Sequence, residues 1–115
     1  MHELESIKLR LRKFAEDRDW NQFHSPKNLS MALIAEAAEL VEQFQWLTEE
    51  QSQNLKNDKL KEVAEELADI QIYLVRMADR LNIDLLDAVN KKIEINEKKY
   101  PSEKVIGSSK KYTEY

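Results

Sequence analysis

Four carboxylates in this sequence have the types and spacing to do chemistry. Glu36 and Glu39 form one pair three residues apart, and Glu66 and Asp69 form another. On a helix, positions i and i+3 are neighbours on one face, about 5–6 Å apart at Cβ. Each pair is set among apolar residues: Leu33, Ile34, Leu40 and Val41 around the first, Val63, Leu67, Ile70 and Ile72 around the second. Carboxylates that close to a core repel one another and lose hydration, so they need a cation to stay charged. Facing each other across two packed helices, the four would offer all-oxygen ligation, which suits Mg²⁺, with Mn²⁺ as a substitute. Such a site would clamp a polyphosphate while water attacks phosphorus in line and a free carboxylate takes the proton. The phosphates would also need cations from the protein. Lys27, Lys92, Lys98 and Lys99 are candidates, although each alone reads as an exposed lysine. A di-iron site would need Glu-x-x-His pairs, and neither His2 nor His24 follows a glutamate by three residues.

Helices must position these acids. The 115 residues are 42% hydrophobic and 35% charged, with one Gly and two Pro, which points to one all-α domain. Leu4, Ile7, Leu11, Phe14 and Ala15 make an apolar stripe on a first helix over 3–18. A connector with Trp20, Phe23 and His24 follows, and Ser25-Pro26 supplies the next N-cap and first helical residue. The second helix, 26–47, carries Glu36 and Glu39, with Phe44, Trp46 and Leu47 closing it. Glu42 could be a further ligand or an exposed neighbour. Thr48 with Gln51 makes a capping box within the polar segment 48–58. The third helix, 59–81, is capped by Asn57 or Asp58 and packs through Leu60, Val63, Leu67, Ile70, Leu74, Met77 and Leu81. Glu62 and Glu65 share the i,i+3 spacing, so spacing alone proves little; Glu66 and Asp69 are preferred because they adjoin the packed positions. Asp84 caps a fourth helix, 85–99, with Leu86, Val89, Ile93 and Tyr100 facing in, and Pro101 ends it. Residues 1–101 form the catalytic domain on this reading, and 102–115 a tail without a core pattern, mobile unless a partner subunit orders it.

Composition excludes several classes. With no cysteine there are no disulfides or thiolate sites, which fits a cytoplasmic protein. A net charge of −4 gives no bulk attraction to a nucleic acid polymer. No apolar stretch is long enough to span a membrane, and the N-terminus does not read as a signal peptide.

Glu36-x-x-Glu39 followed by Glu66-x-x-Asp69 resembles the metal motif of the MazG-like, all-α nucleoside triphosphate pyrophosphohydrolases. The flanking stretches are similar to the dCTP pyrophosphatase branch. They are Arg18-Asp-Trp-Asn-Gln-Phe-His-x-Pro-Lys-Asn28, Glu39-Leu-x-Glu-x-Phe-Gln-Trp46, Glu65-Glu-Leu-Ala-Asp-Ile-x-Ile-Tyr-Leu-Val75, Lys91-Lys-Ile-Glu-Ile-Asn-Glu-Lys-Lys-Tyr-Pro101 and Lys111-Tyr-Thr-Glu114. The resemblance implies a four-helix bundle-like fold and hydrolysis between the α- and β-phosphates. It implies Mg²⁺ held at Glu36, Glu39, Glu66 and Asp69. It also implies a base pocket at Trp20 and Trp46, with Tyr73 and Asn96 nearby and Lys92 toward the phosphates. Homo-oligomers, as dimers of dimers with sites at subunit contacts, are implied too. Leu11 stands where animal members carry a pocket histidine.

Two function classes remain. The leading one is a Mg²⁺-dependent pyrophosphohydrolase acting on dCTP or a modified relative. The alternative is a non-catalytic helical interaction module with a solvated acidic face. Trp46 follows Glu39 by seven residues, two turns or about 10 Å on a continuous helix, which would suit a base stacked away from metal-bound phosphates. Read without the resemblance, Trp46 is a core plug.

Overall fold

The structure, a computed structural model, describes residues 3–108. All regular structure among them is helical: α1 (Glu3–Asp17), α2 (Pro26–Glu42), α3 (Glu49–Gln53), α4 (Asn57–Arg80), α5 (Leu85–Lys99) and α6 (Ser102–Val105). The four expected helices are present, with two short ones added. The chain divides between Asn82 and Ile83 into two compact units.

In the first unit α4 is the axis, and both α2 and α1 pack on it. Local chemistry sets the ends. Ser25 caps α2, its hydroxyl accepting from the Asn28 amide at 3.1 Å, and Pro26 stands in the first turn where no amide donor is needed. Thr48 and Gln51 form the expected reciprocal box at α3. α1 closes through Asp19 in the left-handed region (φ 54), and the Trp20 amide reaches back to the Ala15 carbonyl at 2.8 Å. An aspartate tolerates that conformation better than most residues.

Three expectations for α2 and α4 change. α2 ends at Glu42, not 47: the Phe44 amide bonds the Val41 carbonyl and the Leu47 amide the Phe44 carbonyl, tight turns that deliver the chain to the Thr48 cap. Lys56, not Asn57 or Asp58, is the α4 N-cap, and it makes no side-chain cap bond. The core row of α4 also differs. Of the expected row Val63 is buried and Ile70 and Met77 are half-buried, whereas Leu60, Leu67, Leu74 and Leu81, spaced every seven residues, are exposed; Val75, Arg76 and Ala78 are buried beside Val63. Elsewhere in this unit the core adds Ala15 and Leu29; Ile7 and Phe14 of the α1 stripe are exposed.

In the second unit Asp84 caps α5 as expected, accepting from the Asp87 amide at 3.0 Å. Lys91 pairs with Asp87 one turn back. Leu86, Val89 and Ile93, expected to face in, are exposed. Pro101 becomes the N-cap of α6, so the expected tail begins with a helical turn. The Lys111–Glu114 stretch lies outside the described residues.

Candidate metal centre

The packing of α2 on α4 brings acids from both helices to one point. Carboxylate oxygens of Glu36, Glu39 and Glu66 all lie within 4.8 Å of one another. The groups acting most strongly on Glu36 and Glu66 are themselves acids. Glu36 is pushed up to about 7, first by its hydrogen bond to Glu66, then by lost hydration and by Glu39 and Asp69. Glu66 is also raised, chiefly by desolvation, while the Glu36 hydrogen bond pulls it down. Metal-free, the crowding of these acids therefore favours protonation within the cluster, at Glu36 above all.

One oxygen tests the fit to a cation. Glu66 Oε2 is buried with no hydrogen-bond partner. A buried, unsatisfied carboxylate oxygen is costly unless something positive completes it. Three converging carboxylates are a hard, all-oxygen donor set, which fits Mg²⁺ or Mn²⁺ better than a soft metal. Asp69 falls outside the tight trio, yet its charge acts on Glu36, Glu66 and Tyr73. Glu42 is exposed.

The other candidates divide. Tyr73, one turn beyond Asp69, has its hydroxyl pKa raised by burial and then by Glu36 and Asp69, so it remains a neutral donor beside the acids. Trp20 lies in the connector, packed edge-on against Phe14 at 5.6 Å and His24 at 6.0 Å. Trp46 leaves the helix that was to carry it and is 87% exposed, so it is no core plug and the spacing argument from Glu39 does not apply. Lys92 and Asn96 are exposed on α5, in the second unit. A cavity of about 540 Å³ lies elsewhere, between α3 and the start of α4, and none of the four acids lines it.

Sequence reasoning missed one group, which joins the connector to α4. Arg76, only 4% exposed, donates from Nε to His24 Nδ1 at 3.2 Å and from Nη2 to Asn21 Oδ1. Asp79 takes both Nε and Nη2 of Arg12, at 3.1 and 2.7 Å, and meets Arg76 Nη1 at 3.4 Å. The available signal was Arg76 and Asp79 at i,i+3 in an otherwise apolar stretch.

The MazG-like family profile matches residues 32–115. The chain is 44% identical over 113 residues to human dCTP pyrophosphatase 1, covering 96% of this chain and 66% of that protein. It is 43% identical to the bovine dCTP pyrophosphatase 1, covering 67% of it. The chain thus spans about two thirds of the length of these relatives. A solved pyrophosphatase from Archaeoglobus fulgidus superposes with a TM-score of 0.83 at 39% identity, covering 88% of this chain and 94% of that one. The match takes in Glu36, Glu39 and Glu66, the residues of the carboxylate trio, and the chain belongs to the MazG-like family.

Proposed function

We propose that this chain is a Mg²⁺-dependent nucleoside triphosphate pyrophosphohydrolase. It cleaves dCTP or a modified relative between the α- and β-phosphates, giving monophosphate and pyrophosphate, in cytoplasmic nucleotide pool sanitation. The observation that carries this reading is the trio Glu36, Glu39 and Glu66 with its unsatisfied Glu66 oxygen. It is supported by relatives named dCTP pyrophosphatase 1. Glu36, Glu39 and Glu66 would hold the cation, with Asp69 completing the set. When bound, the ion supplies charge neutralisation at the phosphate oxygens. A cation there competes with protonation of Glu36, because a ligating carboxylate is ionised. The Tyr73 hydroxyl, kept neutral, donates a hydrogen bond beside the phosphates. Trp20 and Trp46 offer ring faces for the base. Leu11 provides an apolar wall. The catalytic region is 1–101, with 102–115 as a tail.

The site is completed by self-association into a homo-oligomer, a dimer of dimers. Met31, Ile34 and Val41 form an exposed apolar stripe on α2, and Leu60, Leu67, Leu74 and Leu81 another on α4. Apolar stripes of that length call for cover. Sedimentation at micromolar concentration should give a tetramer; a monomer would contradict this. The merely solvated acidic face of an interaction module does not account for a buried, unpartnered Glu66 oxygen.

The test is turnover of a panel of canonical and modified nucleoside triphosphates with Mg²⁺, with products identified. Monophosphate and pyrophosphate are expected. Diphosphate with inorganic phosphate, or no turnover of any member, would overturn the reading.

A further inference from the structure

One face of α4 carries more than the acids. Glu66, Asp69, Tyr73 and Arg76 follow at spacings of three, four and three, a single helical stripe. Arg76 lies seven residues beyond Asp69, about 10 Å along the axis. At this point the connector bearing Trp20 is fastened to the helix.

The fastening is specific. Two edges of the Arg76 guanidinium are spent on the connector, at His24 Nδ1 and Asn21 Oδ1, and the third meets Asp79. Arg80 Nε adds a bond to the His24 carbonyl at 3.1 Å. Asp79 is gripped in turn by Arg12 of α1. Burying a guanidinium is costly, and an apolar residue of similar volume commonly gives equal or greater stability. What the arginine adds is a fixed geometry. Trp20 sits where that geometry acts: its edge is held by Phe14 and His24, its amide by the Ala15 carbonyl, and 42% of the residue stays open to solvent.

We propose that Arg76 is a positioning residue for base recognition, holding the Trp20 connector through Asn21 and His24 on the helix face that carries Glu66, Asp69 and Tyr73. This rests on the pyrophosphohydrolase reading and deepens it: Trp20 is pre-placed for stacking, so affinity for the base depends on a residue that touches no substrate.

Two variants separate the effect from folding. Arg76→Met removes the donors; the double variant Asn21→Ala with His24→Phe removes their acceptors, keeps a ring against Trp20 and leaves α4 intact. In either, the KM for a nucleoside triphosphate should rise about ten-fold, the value of a lost stacking contact. Turnover at saturation should stay within about two-fold, the signature of lost binding rather than lost chemistry. In a Trp46→Phe background, acrylamide quenching of the remaining tryptophan, Trp20, should increase in both variants. Should Arg76→Met fail to fold, the double variant decides. Unchanged quenching overturns the docking, whatever the activity. Increased quenching with an unchanged KM, or a fall in kcat alone, overturns the positioning role. Absence of turnover in the unaltered protein overturns instead the enzymatic reading beneath it.

Discussion

Helix α4 carries two clusters of charge, centred on Glu66 and Asp79 between three and four turns apart, and they are built on opposite principles. Around Glu66 the strongest neighbours are acids: Glu36, Glu39 and Asp69. Around Asp79 the neighbours are Arg12, Lys8 and Arg76. Proton affinity registers the difference. Glu36 is raised to about 7, whereas the Arg12 guanidinium holds Asp79 below its usual range. A buried acid answered by two arginines completes itself and reads as architecture. Acids answered only by acids are complete only with a cation from outside. Counting charged residues would not separate the two; the sign of the nearest neighbour does.

The largest effects should come from neutralising one acid in each cluster. Glu39→Gln or Glu66→Gln keeps shape but removes a hard ligand, and turnover should fall by on the order of 100-fold or more at saturating Mg²⁺. The metal-free fold should be no less stable, since repulsion is relieved. Asp79→Asn should do the reverse. It leaves Arg76 buried without its counter-charge, at a cost of about 3 kcal/mol in denaturant unfolding, while the metal site survives. If Glu66→Gln unfolds the protein and Asp79→Asn does not, the two clusters have been assigned the wrong way round.

A smaller effect is expected from the cation alone. A ligand that binds only the folded form stabilises it by about 2.7 kcal/mol at one hundred times its dissociation constant. Melting with and without Mg²⁺ should therefore show an upward shift in the parent and in Asp79→Asn. The shift should disappear in a Glu36→Gln, Glu66→Gln double variant. An equal Mg²⁺ response in the double variant would place the cation elsewhere.

The helices and the acids were legible because their signals are local. Ser25-Pro26, the Thr48–Gln51 box and Asp84 act within three residues, and each cap is found where its side chain predicts. The acidic pairs were legible because charge inside an apolar segment is rare without a reason. What failed turns on competing local signals or on partners distant in sequence, and Lys56 takes the α4 cap position although Asn57 and Asp58 are the better cap residues. Phe44 and Leu47 extend the apolar rhythm of α2, yet the chain must turn before the extended Thr48 cap, so Trp46 leaves the helix. Leu60, Leu67, Leu74 and Leu81 have the spacing of a core row, and nothing local says that they stay exposed. Arg76 is the converse. An arginine reads as solvated until its partners are known, and these come from positions 21 and 24.

The smallest effect, and the one that sets the clusters most directly against each other, is the pH dependence of metal-free stability. Glu36 carries a folded-state pKa of about 7 against an ordinary value of 4.5. The folded form therefore binds more protons between those values. Its contribution is fully present below the ordinary pKa and is lost as pH rises through about 7. Asp79 is lowered from 3.8, so the folded form binds fewer protons. Its contribution is present above that value and is lost as pH falls through the lower, folded-state one. The metal-free melting temperature should thus decline from about pH 5 to about pH 7.5 because of the acidic cluster, and decline again in strong acid because of the arginine-bound one. Glu36→Gln should flatten only the upper slope and Asp79→Asn only the lower. Saturating Mg²⁺ should cancel the upper slope, since the ion competes with the proton and binds more tightly as pH rises. If the upper slope persists unchanged in Glu36→Gln and in Mg²⁺, the proton in question does not belong to the cluster, and the contrast between the two ends of α4 loses its electrostatic basis.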